Sequence, residues 1–222
     1  MFEEKDYFMK MINELTTAIG RIMGLKAENK IEESQEVLNQ ALKHFNDLSM
    51  EVIEALPYEI LIHKISGSRQ INTEKYLMLG ELLIQQADIY ETKGENARAK
   101  NLHLKSMNIL IKALLNDDNL ALEQNQSKVD ELIEKIGWFN VTNESKLLLF
   151  QYYELTKNYA KAEDVLFNLI EINGTRNDIW AKGIAFYGRL INIDQAELEK
   201  GNLPIDEVLE GLTIFKEHKE EV

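Results

Sequence analysis

The sequence predicts an all-α fold, and three observations lead to this prediction. Its 222 residues include only 2 prolines and 11 glycines, whereas sandwiches and barrels need frequent turn residues. Apolar residues recur three and four positions apart over long stretches, which is the spacing of one face of a helix. Short polar breaks separate these stretches. The pattern predicts antiparallel helical hairpins, about nine or ten helices in all, and no strand.

Composition and charge limit the functions open to the chain. Hydrophobic residues make up 45% of it, so residues 1–222 can bury a core as a single domain. The net charge of −13, with Lys and Arg scattered among acids, disfavours nucleic acid as a partner. The absence of cysteine excludes disulfides, cysteine-ligated zinc and thiol catalysis.

The sequence also predicts a cytoplasmic location without membrane contact. No stretch approaches the roughly 18 to 20 apolar residues that a membrane-spanning helix needs. The beginning of the chain carries Glu3 and Glu4, whereas a signal peptide begins with basic residues.

The predicted helices form three hairpins with less regular sequence between and after them. The hairpins span residues 6–48, 73–116 and 143–172, with turns at Glu28-Asn29-Lys30, Lys93-Gly94 and Lys157-Asn158. Residues 49–72 and 117–137 are the irregular segments, with breaks at Ser66-Gly67-Ser68 and Asp117-Asp118-Asn119. A helix is expected within each segment, from Pro57 through Ile65 and over Leu120–Ile136. Asn173-Gly174 is a helix-stop signal, and two C-terminal helices follow at 178–199 and 204–218.

The second hairpin carries a spaced set of residues with a known structural meaning. Ala87, Tyr90, Gly94 and Ala99 stand where a tetratricopeptide repeat places a small residue, an aromatic residue, a turn glycine and a second small residue. Weaker copies place Ser34 and Ala162 at the position of Ala99. The chain therefore resembles a tetratricopeptide-repeat protein, which implies hairpins stacked as a short right-handed solenoid.

Two further phrases carry a second resemblance. Residues 5–12 (KDYFMKMI) and 159–167 (YAKAEDVLF) are similar to phrases in a group of small uncharacterised cytosolic proteins of Gram-positive bacteria. That group has no assigned activity, so the resemblance implies no functional residues.

The tetratricopeptide resemblance implies a groove lined by the first helix of each hairpin. Mapped from the motif, the candidate groove residues are Thr16, Ile19, Met23 and Lys26 in the first hairpin, Glu81, Ile84, Asp88, Glu91 and Thr92 in the second, and Glu144, Leu147, Gln151, Glu154 and Leu155 in the third. Because this set is acidic with apolar patches, we expect a basic or amphipathic segment of another protein as its partner. The alternative is a solvated face without a ligand.

No enzyme signature is present in the sequence. None of the four histidines has another four residues away, and phosphate-loop and nucleophile-elbow motifs are absent. His103 stands where the motif has a packed aromatic residue, so it is predicted as a core or boundary residue. The sequence thus predicts no catalytic residue, no cofactor and no metal.

The sequence as a whole predicts a protein-interaction or adaptor module. One alternative is a regulatory sensor whose groove binds a small peptide, and a second is an enzyme with an unrecognised site. Self-association as a homodimer stays open, because the apolar N-terminal helix can be covered by a neighbour or by its own partner helix.

Overall fold

The structure, a computed structural model, describes residues 2–45, 48–66, 73–116, 122–173 and 177–220. These residues form twelve α-helices and one short 3-10 helix, and they contain no strand. The all-α prediction is confirmed, whereas the predicted count of nine or ten helices is too low. The predicted breaks at Gly67-Ser68, Asp117-Asp118-Asn119 and Gly174 lie outside the described residues.

The chain divides into two compact units, Met1–Asn140 and Val141–Val222. The prediction of one domain and the stacking of hairpins into a solenoid stay predictions. Among the described residues, none of the helices combines the length and hydropathy that crossing a membrane requires.

In the first unit the described residues form seven α-helices. They are α1 (Phe2–Ala27), α2 (Ile31–Leu42), α3 (Met50–Ala55), α4 (Tyr58–Ser66), α5 (Thr73–Thr92), α6 (Asn96–Asn116) and α7 (Leu122–Ile136), followed by the 3-10 helix Trp138–Asn140. Helix α1 packs against α2 and α5, α5 packs against α6, and α6 packs against α7.

The α5–α6 hairpin is the most extensive helix pair of this unit. Its turn uses Gly94 at φ +77°, and the N–H of Glu95 donates to the carbonyl of Tyr90 at 2.8 Å, which closes the end of α5. Ala87 and Ala99 are buried at the helix crossing. Small side chains at these positions let the two helices approach closely.

Helix α2 joins the same core through small and polar contacts. The Ser34 hydroxyl donates to the carbonyl of Ile22 in α1 at 3.1 Å. Gln35 and the fully buried Gln86 exchange amide hydrogen bonds of 2.6 and 2.9 Å between α2 and α5. Because both amides are paired, burying Gln86 carries little of the penalty of an unsatisfied polar group.

Helix α3 is linked to α5 and α6 by hydrogen bonds of two charged side chains, Lys105 and Glu54. Lys105 donates to the carbonyls of Ile53 and Glu54 at 2.7 and 2.6 Å, near the C-terminal end of α3. The Glu54 carboxylate accepts from Tyr90 at 2.6 Å and from Arg98 at 2.7 Å. A lysine at these carbonyls satisfies acceptors that a helix end leaves open.

In the second unit the structure describes five helices around an aromatic core. They are α8 (Asn143–Leu155), α9 (Tyr159–Asn173), α10 (Asn177–Leu190), α11 (Gln195–Lys200) and α12 (Ile205–Glu220). The ring of Phe215 lies 4.9 Å from that of Trp180 and 5.4 Å from that of Tyr187, between ring centres. A Cβ on Gly183 would overlap Phe215, so this position requires glycine in the present packing.

The single helix predicted at 178–199 is wrong. Helix α10 ends at Leu190, and α11 begins at Gln195 after a short turn. The Asp194 side chain accepts from the N–H of Ala196 at 2.9 Å and so acts as the N-cap of the new helix.

Candidate functional site

The first unit contains a cavity of about 270 Å³ between α5 and α7. We call it the α5–α7 cleft. Its lining residues are Glu81, Ile84, Gln85 and Asp88 of α5, His103 of α6, and Lys128, Glu131, Leu132 and Lys135 of α7. Three of the predicted groove residues, Glu81, Ile84 and Asp88, therefore lie together.

Helix periodicity explains why α5 and α7 each contribute four residues. The lining positions 81, 84, 85 and 88 and the positions 128, 131, 132 and 135 follow the same spacing, i, i+3, i+4 and i+7. This spacing places side chains on one helix face over two turns. The first and last positions are acidic on α5 and lysines on α7, so the two faces are complementary in charge.

Lysines of neighbouring helices neutralise most of the acidic residues of α5. The ammonium group of Lys128 contacts the Glu81 carboxylate at 2.5 Å, and that of Lys135 contacts Glu91 at 2.7 Å and Asp88 at 3.9 Å. From α1, Lys26 donates to Asp88 and Gln85, both at 2.6 Å. The predicted acidic groove is thus a row of ion pairs between helices.

The direction of these contacts gives the helix arrangement. Along α1 and α5, Thr16 lies near Met78 and Lys26 near Asp88, so residue numbers rise together. Along α5 and α7, Glu81 meets Lys128 and Glu91 meets Lys135. Helices α1, α5 and α7 therefore run in the same direction, with α5 in the middle.

His103 reaches the cleft from α6. Its side chain is only 3% exposed, which confirms the prediction of a buried residue. Its Nε2 lies 3.8 Å from an oxygen of Asp88, and its Nδ1 lies 3.8 Å from an oxygen of Glu91. The imidazole therefore lies close to both carboxylates, and its place in the cleft was not predicted.

The pKa of Asp88 is below its ordinary value. Burial acts to raise this pKa, but polar contacts with His103 and Lys26 and the positive charges of Lys26 and Lys135 outweigh the burial. Asp88 is therefore ionised at neutral pH and remains an acceptor on the cleft wall.

Carboxylates outnumber ammonium groups by one among the described lining residues and the side chains that pair with them. The carboxylates are Glu81, Asp88, Glu91 and Glu131, and the ammonium groups are those of Lys26, Lys128 and Lys135. Glu131 is exposed on α7. The cleft can therefore accept one further cationic group, with Ile84 and Leu132 as its apolar walls.

The remaining predicted groove residues divide between core, surface and ion pairs. In α1, Ile19 belongs to the core, and Met23 is exposed. In the second unit, Glu154 accepts two hydrogen bonds from Arg189, at 2.6 and 2.8 Å, and so links α8 to α10. Glu144 and Gln151 are exposed on α8, where nothing in their surroundings distinguishes them from an ordinary solvated face.

The α7 half of the cleft was not among the predicted groove residues, because the repeat motif was mapped only onto the first helices of the three hairpins. The amphipathic helix predicted over Leu120–Ile136 lies between two of those hairpins and corresponds to α7. The missed residues are Lys128, Glu131, Leu132 and Lys135. Their signal was the repeat of the α5 spacing with opposite charge at both ends. Within the described part of the chain, no group of three or more His, Cys, Asp and Glu side chains is arranged to hold a metal ion.

Comparison with protein families gives one match. The model of a family described as a family of unknown function (DUF6483) matches residues 1–220. The chain belongs to this family. Neither the curated proteins nor the solved structures include a match to the chain. Membership of DUF6483 therefore implies no activity for the chain.

Proposed function

We propose that this member of DUF6483 is a cytoplasmic, tetratricopeptide-like interaction module that binds a basic or amphipathic segment of another protein. The observation that carries the proposal is the α5–α7 cleft, where Glu81, Ile84 and Asp88 line one cavity with an excess carboxylate. The binding surface is the face shared by α1, α5 and α7.

The hairpin motif supports the tetratricopeptide-like part of the proposal. Ala87, Tyr90 and Ala99 are all buried in the α5–α6 hairpin, and Gly94 has the positive φ that its turn needs. In tetratricopeptide arrays the first helices of successive hairpins lie side by side and line the groove. The common direction of α1, α5 and α7 agrees with that arrangement.

The three lysines of the face support the basic character of the partner. Each of them comes from a neighbouring helix and ends on a carboxylate or amide of α5. These contacts within the chain support a partner that presents cationic groups to the same surface. A partner helix with basic and apolar residues three and four positions apart would continue this pattern beside the exposed Glu131.

Selection from a display library of helical peptides on the immobilised full-length chain tests the proposal. We expect the enriched peptides to be basic or amphipathic and to bind more weakly at high salt, because exposed charge pairs are screened. Glu131→Lys should lose these peptides, whereas the control Glu134→Lys, also exposed on α7 but outside the cleft, should keep them.

Two results would contradict the proposed function. One is a library that yields only acidic peptides or none. The other is a set of basic peptides that bind wild type, Glu131→Lys and Glu134→Lys with equal affinity. Circular dichroism of both variants shows whether the fold is retained.

A further inference from the structure

The α5–α7 cleft has the features of a pocket for a single side chain. A volume of about 270 Å³ lies near the lower end of the range usual for ligand pockets, roughly 300 to 1,000 Å³. Its lining includes the apolar side chains of Ile84 and Leu132 and the buried His103. Such a pocket suits a long side chain with an apolar stem and a polar end.

The charge of the cleft determines which polar group the bound side chain can carry. Among the lining charges that the structure describes, Lys128, Lys135, Glu81 and Asp88 are in ion pairs, whereas Glu131 is in none of those pairs. A cationic ligand therefore finds a carboxylate outside these pairs, and an anionic ligand finds no lining lysine outside them. The excess charge is negative, and Glu131 lies at the rim. An anionic ligand is therefore disfavoured, and a cationic one is favoured.

Geometry favours a guanidinium group over an ammonium group. Carboxylates line the cleft on both helices, at Asp88 on α5 and at Glu131 on α7. A guanidinium presents several N–H donors in one plane and can bind two acceptors while its faces lie against apolar walls. An ammonium group is a compact, strongly hydrated charge that gains less from such walls.

We propose that the α5–α7 cleft binds an arginine side chain of the partner, with the stem between Ile84 and Leu132 and the guanidinium between Asp88 and Glu131. This inference rests on the proposed function and adds the residue that anchors the partner. It also assigns Glu131 as the residue that sets the specificity for the cation.

Nuclear magnetic resonance titration of the full-length chain with N-acetyl-L-arginine N-methylamide tests this inference. We expect the signals of cleft residues, including the His103 imidazole, to shift, with a dissociation constant on the order of 1 mM for one side chain. The uncharged analogue N-acetyl-L-citrulline N-methylamide should bind at least about tenfold more weakly, because it lacks the charge. The corresponding lysine derivative should also bind more weakly than the arginine probe.

A matched pair of variants assigns the effect to the cleft. Glu131→Gln should weaken binding of the arginine probe about threefold or more, whereas Glu134→Gln should leave it unchanged. Both residues are exposed on α7 and lose the same charge, but only Glu131 lines the cleft. Equal effects of the two variants would overturn the inference, as would equal binding of arginine and citrulline, equal binding of lysine, or shifts confined to other helices.

The two experiments fail independently. If the library yields basic peptides but the arginine probe does not bind, the arginine pocket is wrong and the interaction module stands. If the probe binds in the cleft but no peptide is selected, the pocket stands and the proposed function is wrong.

Discussion

Two partly buried carboxylates, Asp88 in the first unit and Glu163 in the second, have pKa values shifted in opposite directions. Burial acts to raise the pKa of both. At Asp88 the imidazole of His103 and two lysines outweigh burial, so its pKa is lowered. Glu163 accepts one hydrogen bond from Tyr187, at 2.6 Å, while surrounding carboxylates add to burial, so its pKa is raised.

The comparison shows that local partners, rather than burial, decide the sign of the shift. The carboxylates that act on Glu163 are Asp164, Glu207 and Glu210, on α9 and α12. The groups that act on Asp88 come from α1, α6 and α7 and are cations or donors. The α5–α7 cleft is therefore a region where charge stabilises the fold, and the surroundings of Glu163 are a region where charge opposes it.

The largest expected effect is that of Asp88→Asn. This substitution removes the charge that Lys26 and Lys135 face, so we expect the free energy of unfolding to fall by about 1 to 2 kcal/mol at pH 7, after allowing for partial exposure of the pair. Because the pKa of Asp88 is lowered in the folded state, this stability is present above its unfolded pKa and is lost as pH falls through the folded pKa. Urea unfolding of wild type and variant at pH 7 and pH 3 measures the loss and its dependence on pH. An equal loss of unfolding free energy at the two pH values would show that the charge of Asp88 does not stabilise the fold.

Glu163→Gln should have the opposite effect. The amide still accepts the hydrogen bond of Tyr187 but carries no charge, so we expect the protein to gain roughly 0.5 to 1 kcal/mol at pH 7. Because the pKa of Glu163 is raised in the folded state, its favourable contribution is present below the unfolded pKa and is lost as pH rises through the folded pKa. The gain should therefore vanish in acid. Thermal unfolding between pH 3 and pH 7 tests this, and destabilisation at pH 7 would refute it.

The smallest expected effect is the coupling between Glu81 and Lys128. Although the Glu81 side chain is mostly buried, that of Lys128 is 41% exposed, so a double-mutant cycle with Glu81→Gln and Lys128→Gln should give about 0.5 kcal/mol. The bidentate pair Glu154–Arg189 provides a comparison on the second unit and should couple more strongly, by about 1 kcal/mol. Equal coupling energies would show that the second hydrogen bond adds nothing.

Local signals in the sequence predicted most of the helices. Gly94 marks its turn because few other residues tolerate its positive φ. The Thr142 side chain accepts from the N–H of Ser145 and so caps α8, directly before the predicted start of the third hairpin at residue 143. The break between α10 and α11 was missed, because the apolar spacing continues across residues 191–194 and hides the cap at Asp194.

The candidate site was predicted on α5 and, at Lys26, on α1, but not on α7. The repeat motif identified Glu81, Ile84, Asp88 and Lys26 from local spacing, but not which of them contact each other. The α5 carboxylates are distant in sequence from their partners Lys26, Lys128 and Lys135, so the pairing depends on which helices become neighbours. The complementary spacing of α5 and α7 is visible in the sequence, but only the fold shows that these two helices are neighbours.

The ion pairs between α5 and its neighbours also have a consequence for the evolution of the family. Because Glu81 and Lys128 satisfy each other, a relative that changes one charge gains from a compensating change in the other. We expect positions 81 and 128, and likewise 88 and 26, to vary together among members of the family. Glu131 is not part of the described ion pairs with α5, so we expect the residue at this position to vary with the partner that each relative binds.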